Sequence, residues 1–148
     1  MTDTQSLHIE RTFQAPVEKV FDAWTSEEVM RRWWQAERGW ETSAAEVDLR
    51  VGGAVRVVMR DPDKDVEHGG GGTYTEIEPP TRLAFTWLWD GDTRRTLIEI
   101  DFAETDDGAT TVSFTHSGLW DEEAVRSHEG GWGRILDNLG RDLEARSP

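Results

Sequence analysis

Apolar and polar residues follow two rhythms along this chain, and the points where one gives way to the other outline its elements. Over residues 7 to 13, Leu7, Ile9, Arg11 and Phe13 alternate with His8, Glu10 and Thr12, the period of two expected of a half-buried strand. Ala15-Pro16 closes it. Pro16 suits the first turn of a helix, and Val17, Val20, Phe21 and Trp24 then fall on one helical face. Thr25-Ser26 ends that helix and caps a second short one, with Glu27 and Glu28 at its start and Arg31 and Arg32 at its end, each sign matching the helix dipole. Trp33 and Trp34 follow. Adjacent helical positions point about 100° apart, so one ring is expected to pack inward and the other to face a cleft or loop.

The strand rhythm returns at Thr42. Ala45, Val47, Leu49 and Val51 alternate with polar neighbours, Gly52-Gly53 turns the chain, and Val55, Val57 and Met59 complete a predicted hairpin. Residues 61–65 form another turn, and Gly69 to Gly72 are read as a flexible or bulged lead into a strand over Thr73 to Ile77. Pro79-Pro80 turns the chain towards Leu83, Phe85, Trp87 and Trp89, a strand with one aromatic face. After Asp90-Gly91-Asp92, Thr96, Ile98, Ile100 and Phe102 share a face; after Asp106-Asp107-Gly108, Val112, Phe114 and His116 do so. Beyond Trp120 the rhythm becomes helical from Asp121 to Leu143. There Val125, His128, Trp132, Ile135, Leu136, Leu139 and Leu143 lie within roughly a 100° arc, the width of a core-facing stripe.

The order is one strand, two short helices, about six antiparallel strands and a long helix. It predicts an α+β domain in which a twisted sheet of about seven strands, apolar on one face, curls around the terminal helix. A chain of 148 residues has the length of a single domain over 1–148, with its core in about 7–143. No apolar run approaches the roughly 18 residues that cross a membrane, and Met1 to Gln5 carry no basic or apolar signal. A cytoplasmic protein is therefore expected. The net charge of −14 disfavours nucleic acid and anionic membranes as partners. With no cysteine, disulfides and thiolate metal sites are excluded.

Several stretches resemble, in their order, the START-like or SRPBCC helix-grip superfamily, and within it bacterial proteins similar to the C-terminal domain of the activator of heat-shock-protein-90 ATPase. They are Arg11-Thr12-Phe13-Gln14-Ala15-Pro16 with Val20-Phe21-Asp22-Ala23-Trp24-Thr25, Arg32-Trp33-Trp34, Asp48-Leu49-Arg50-Val51-Gly52-Gly53, Gly72 to Ile77 before Pro80-Thr81-Arg82-Leu83, Thr115 to Leu119, and His128 with Gly131-Trp132. The resemblance implies a curved antiparallel sheet gripping the C-terminal helix, with a cavity between them. It implies no common catalytic set. Gln35-Ala36 stand where these proteins often have Gly-Pro, and the four-glycine run is longer than theirs.

The candidate chemistry concentrates on the predicted inner walls. Eight tryptophans are present, and Trp33, Trp34, Trp87, Trp89, Trp120 and Trp132, with His116 and His128, are the candidate ligand-binding residues. The two histidines could give polar contacts or acid-base chemistry near neutral pH; the plainer reading makes each a hydrogen-bonded core residue. They form no metal set, and Asp121, Glu122 and Glu123 are better read as the acidic first turn of a helix. No cofactor is expected, since no Lys-Ser/Thr pair follows the glycine run as a phosphate loop requires. Gly130, Gly131 and Gly133 inside a helix imply either close packing against a neighbour or room for a ligand beside Trp132. The leading expectation is a domain binding a small hydrophobic or aromatic molecule between sheet and helix. An enzyme of cyclase or hydrolase type using a pocket histidine is the first alternative. A chaperone-linked or other protein-interaction module, or a homodimer, is the second.

Overall fold

A computed structural model describes residues 4–145. Met1 to Asp3, read above as free of a targeting segment, lie outside the described residues. Strand β1 (Gln5–Phe13) is followed by helices α1 (Val17–Thr25) and α2 (Glu27–Trp33). Strands β2 (Glu41–Val47), β3 (Ala54–Asp61), β4 (Val66–Glu78), β5 (Arg82–Trp89), β6 (Thr96–Glu104) and β7 (Thr110–Leu119) then lead to helix α3 (Glu122–Ala145). The strands form one seven-stranded sheet in the order β1-β7-β6-β5-β4-β3-β2. From β2 to β7 each strand pairs antiparallel with the next, and β1 joins the edge beside β7. This is the α+β helix-grip architecture. No helix among the described residues is long and apolar enough to cross a membrane.

Alternation places Leu7, Ile9, Phe13, Leu83, Phe85, Trp87, Ile98, Ile100, Phe102, Val112 and Phe114 on the inner face, all buried. The α3 stripe of Trp132, Ile135, Leu136, Leu139 and Leu143 is buried against that face, which exposes the helix's charged side. Arg11, placed by its alternation in the inner row of β1, sends its guanidinium to Asp137 of α3 at 3.6 Å. Ser26 caps α2 by accepting the Val29 N–H at 3.4 Å, and the Asp121 carboxylate caps α3 by accepting the Ala124 N–H at 2.7 Å. Pro16 sits at the N-cap of α1, one position before the expected first turn.

Three local expectations are corrected. The hairpin strand β2 stops at Val47, and Leu49 and Val51 stand exposed in the connection to β3, 43% and 63% accessible. Their alternation with Val47 is incidental, because Gly53 N–H bonds Arg50 O and Asp48 N–H bonds Ala54 O in a wide turn. Gly69 to Gly72 do not precede a strand but lie within β4, paired with Val58, Val57, Arg56 and Val55. They are glycine for want of space: a Cβ on Gly70 would lie 2.6 Å from Trp87, and one on Gly72 would collide with the Thr86 carbonyl. Trp33 and Trp34 are both buried, at 0% and 1% exposure. Trp34 has left the helix (φ −84°, ψ 72°), so the angular offset of neighbouring helical residues does not hold there.

The helical glycines also divide. Gly130 has open space where its Cβ would stand, and Gly133 meets only the tip of Arg11, so close packing does not account for either. Gly131 faces Ala36, with 3.4 Å between the added Cβ and the alanine methyl. Close approach instead holds at Gly140, whose Cβ would meet the Phe13 ring at 3.3 Å.

Candidate functional site

Between α3, the inner ends of β3 to β5 and the segment joining α2 to β2 lies a cavity of about 260 Å³. Its walls are indoles, one pair stacked and the others edge to face. Trp34 stacks on Trp87 with centroids 5.8 Å apart and planes 21° apart, and it meets Trp132 edge to face at 5.3 Å. Trp87 in turn stands at 85° to Trp89, 5.3 Å away. The segment that closes one side is tightly pinned. Gln35 Nε2 donates to Arg31 O and to Thr42 Oγ1, whose own hydroxyl donates to Trp34 O at 2.7 Å. Asn138 of α3 donates to the carbonyls of Trp33 and Gln35, each at 3.2 Å. Gln35 thus ties the end of α2 to the start of β2.

The two candidate histidines have determinate proton positions. The Trp132 indole donates to His116 Nδ1 at 3.0 Å; an indole N–H can only donate, so Nδ1 is unprotonated. His116 Nε2 therefore carries the hydrogen and donates to Thr96 Oγ1 at 2.7 Å, and Thr96 donates onward to Trp87 O at 3.2 Å. Burial, with a smaller contribution from His128, pushes the His116 pKa down to about 3, so its neutral form is held throughout the ordinary pH range. In His128 the pattern is reversed. Trp89 donates to Nε2 at 3.1 Å, and Nδ1–H donates to the Ala124 carbonyl at 2.7 Å. The two rings lie 5.1 Å apart and perpendicular. With both nitrogens of each ring committed, neither has a proton or lone pair to offer a substrate without breaking an internal bond.

Of the residues singled out in the sequence, Trp34, Trp87, Trp89, His128 and Trp132 line the cavity. Trp33, His116 and Trp120 do not. Trp33 is sealed in the core, donating to Ala23 O at 3.2 Å, and His116 is wholly buried behind Trp132. Trp120 lies outside the cavity under the Arg94 guanidinium, which is 3.6 Å from the ring centroid and is held by Asp92. Trp120 also meets His128 edge to face.

The structure adds lining residues that the sequence pattern did not select. Trp40 and His68 stack at 4.8 Å with planes 11° apart at the cavity rim, joining the start of β2 to β4. Met59, Glu37 and Ser127 also contribute to the lining. The inward parity of Met59 was legible in its strand; the pairing of Trp40 with His68 required the β2–β3–β4 register. Trp87 has a buried indole N–H without a partner among the described residues, as do Trp24 Nε1 and the Tyr74 hydroxyl. Burial pushes the Tyr74 pKa up. Among the described residues no group of three or more His, Asp or Glu side chains could hold a metal ion.

The family model described as Activator of Hsp90 ATPase homolog 1-like protein matches residues 14–144. Among solved structures, a Chromobacterium violaceum protein is 27% identical, with a TM-score of 0.86 over 94% of this chain and 97% of that one. An AHSA1-like protein from Aeromonas hydrophila is 32% identical, with a TM-score of 0.80 over 95% of this chain and 93% of its own. A Rhizobium leguminosarum protein is 29% identical, with a TM-score of 0.80 over 99% and 98%. No curated protein matches the chain significantly.

Proposed function

Because the chain belongs to the Activator of Hsp90 ATPase homolog 1-like family of the SRPBCC superfamily, we propose that it binds a small aromatic or otherwise apolar molecule in the cavity between sheet and α3. The observation that carries this reading is the indole-walled cavity of about 260 Å³, just below the ~300 to 1,000 Å³ range of ligand pockets. That volume suits one or two fused rings. The walls supply polarisable surface, and the Trp89 and Trp132 N–H groups are turned away to histidines, so shape and dispersion would dominate recognition.

Titration with 2-naphthylmethanol, followed by calorimetry and melting, tests the proposal. A ligand at a hundredfold excess over its Kd stabilises the folded state by about 2.7 kcal/mol, which raises Tm by roughly 5 to 10 °C in a chain of this size. Absence of both heat and a melting shift across a panel of one- and two-ring compounds would overturn it.

The catalytic alternative on His116 or His128 has less support, since both rings are committed on both nitrogens. The chaperone-linked alternative draws on the family description. Against it, the exposed large hydrophobics among the described residues are Leu49 and Val51 at one end of the β3–β4 ladder and Val66 at the other, which make no single patch.

A further inference from the structure

The pinned segment that closes the cavity has a second side. There Arg38, from the segment, and Arg134 and Arg141, from α3, line a cleft of about 430 Å³ together with Asn138. Arg134, Asn138 and Arg141 are spaced i, i+4, i+7, which puts them on one face of the helix. Asn138 is fixed by its two bonds to the segment and accepts a bond from Arg141. Glu37 and Trp40 line both the cleft and the aromatic cavity, so the two depressions share a rim.

The charges make this cleft unusual. The chain has 30 acidic residues against 16 Lys and Arg, and most of its described arginines sit on carboxylates: Arg56 on Asp90, Arg60 on Glu41 and Asp65, Arg82 on Glu76, Glu99 and Asp101. Arg38 and Arg134 nevertheless have no ion pair, hydrogen bond or ring partner among the described residues, and they face the same cleft. Arg31 and Arg95 are also without a carboxylate partner among the described residues, but neither lines this cleft. Glu37, the one carboxylate in its lining, is bonded to none of the three arginines. Like charges lining one cleft disfavour one another, and an anion bound among guanidinium groups offsets that with bidentate hydrogen bonds.

We propose that the cleft of Arg38, Arg134 and Arg141 takes the anionic group of the ligand whose ring system occupies the aromatic cavity, so that the protein selects ring-bearing carboxylates and related anions over neutral or cationic ring compounds. This rests on the reading of the cavity as a ligand site. The shared rim at Trp40 is where ring and anion would be joined, and the aromatic cavity itself contributes no Lys or Arg.

Calorimetric titration of the full chain with 2-naphthoate, 2-naphthylmethanol and 2-naphthylmethylammonium tests it. The carboxylate is expected to bind about five-fold more tightly than the alcohol, the scale of one or two exposed ion pairs, and the ammonium more weakly than either. The preference should shrink between 20 and 300 mM salt. The R134Q/R141Q double variant, both positions being exposed on α3, should keep the fold and the affinity for the alcohol while losing the preference for the carboxylate. If alcohol and carboxylate bind equally, or if the double variant retains the preference, the anion site is overturned and the aromatic cavity stands. If none of the three binds, the cavity reading falls and this proposal falls with it.

Discussion

The Trp132 indole of α3 donates to Nδ1 of His116 in β7 across 3.0 Å, and this bond decides which nitrogen of His116 carries hydrogen. From there the chain runs through Thr96 to the Trp87 carbonyl, so helix, two inner strands and the cavity wall are tied by one line of donors. Replacing Trp132 with Phe keeps most of the ring packing but leaves Nδ1 buried without a partner. We expect a loss of about 1 to 3 kcal/mol in urea denaturation; an unchanged midpoint would show that the bond does not contribute.

His116 should also mark the pH dependence of folding. Its folded pKa of about 3 lies below the ordinary histidine value near 6.5, so between these limits the unfolded chain binds a proton that the folded chain does not. Stability is then fully present above about pH 6.5 and is lost as pH falls through the window, by up to ~1.4 kcal/mol per unit. Asp90, Asp92 and Asp107, whose pKa values are lowered mainly by side-chain bonds to Arg56, Arg94 and Thr105, contribute stability that begins to be lost only as pH falls below about 5. Of these four groups, the imidazole alone sets the slope between about pH 5 and 6. Glutamine can accept from Trp132 and donate to Thr96, so H116Q should fold and show a flattened slope there; an unaltered slope would assign the effect elsewhere.

Two glycines should respond in opposite directions to the same substitution. G70A places a methyl 2.6 Å from the Trp87 ring and should cost about 1 to 3 kcal/mol while altering the tryptophan fluorescence. G130A meets nothing within 4 Å and should stabilise by about 0.5 to 1 kcal/mol. Thermal melts of the pair decide the matter, and equal shifts of the same sign would contradict the packing described.

Trp40 is half-buried, packed against the edge of the core and stacked on His68 at the rim. W40A should lower the affinity for 2-naphthylmethanol by roughly five- to tenfold, the scale of losing one aromatic contact of about 1 kcal/mol, with Tm changed by only a few degrees. A large fall in Tm with unchanged affinity would make Trp40 a structural residue instead.

How much of this was legible beforehand depended on whether a feature is set by its neighbours in sequence or in space. The period-two rows of β1, β5, β6 and β7 and the α3 stripe are local, and each lies where its rhythm put it. The false continuation of β2 through Leu49 and Val51 shows the weakness of alternation alone, since hydrogen bonds within the turn outrank the parity of two side chains. The glycine run read as a flexible or bulged lead into a strand because its cause, the Trp87 ring and the β5 backbone, comes from another strand. Likewise, which tryptophans face the cavity turned on Trp34 leaving helical geometry and on Trp120 being covered by Arg94, and periodicity carries neither.

At those glycines the sheet is only one backbone thick. On its outer surface the Arg56–Asp90 pair lies so close to Gly69 that a Cβ there would stand 2.6 Å from Asp90, while one residue along, on the inner surface, the Trp87 ring occupies the place of a Gly70 side chain. No layer of side chains separates solvent-facing charge from the cavity wall. The wall is therefore a single backbone at this point, with the Arg56–Asp90 pair against its outer surface and the Trp87 indole against its inner one.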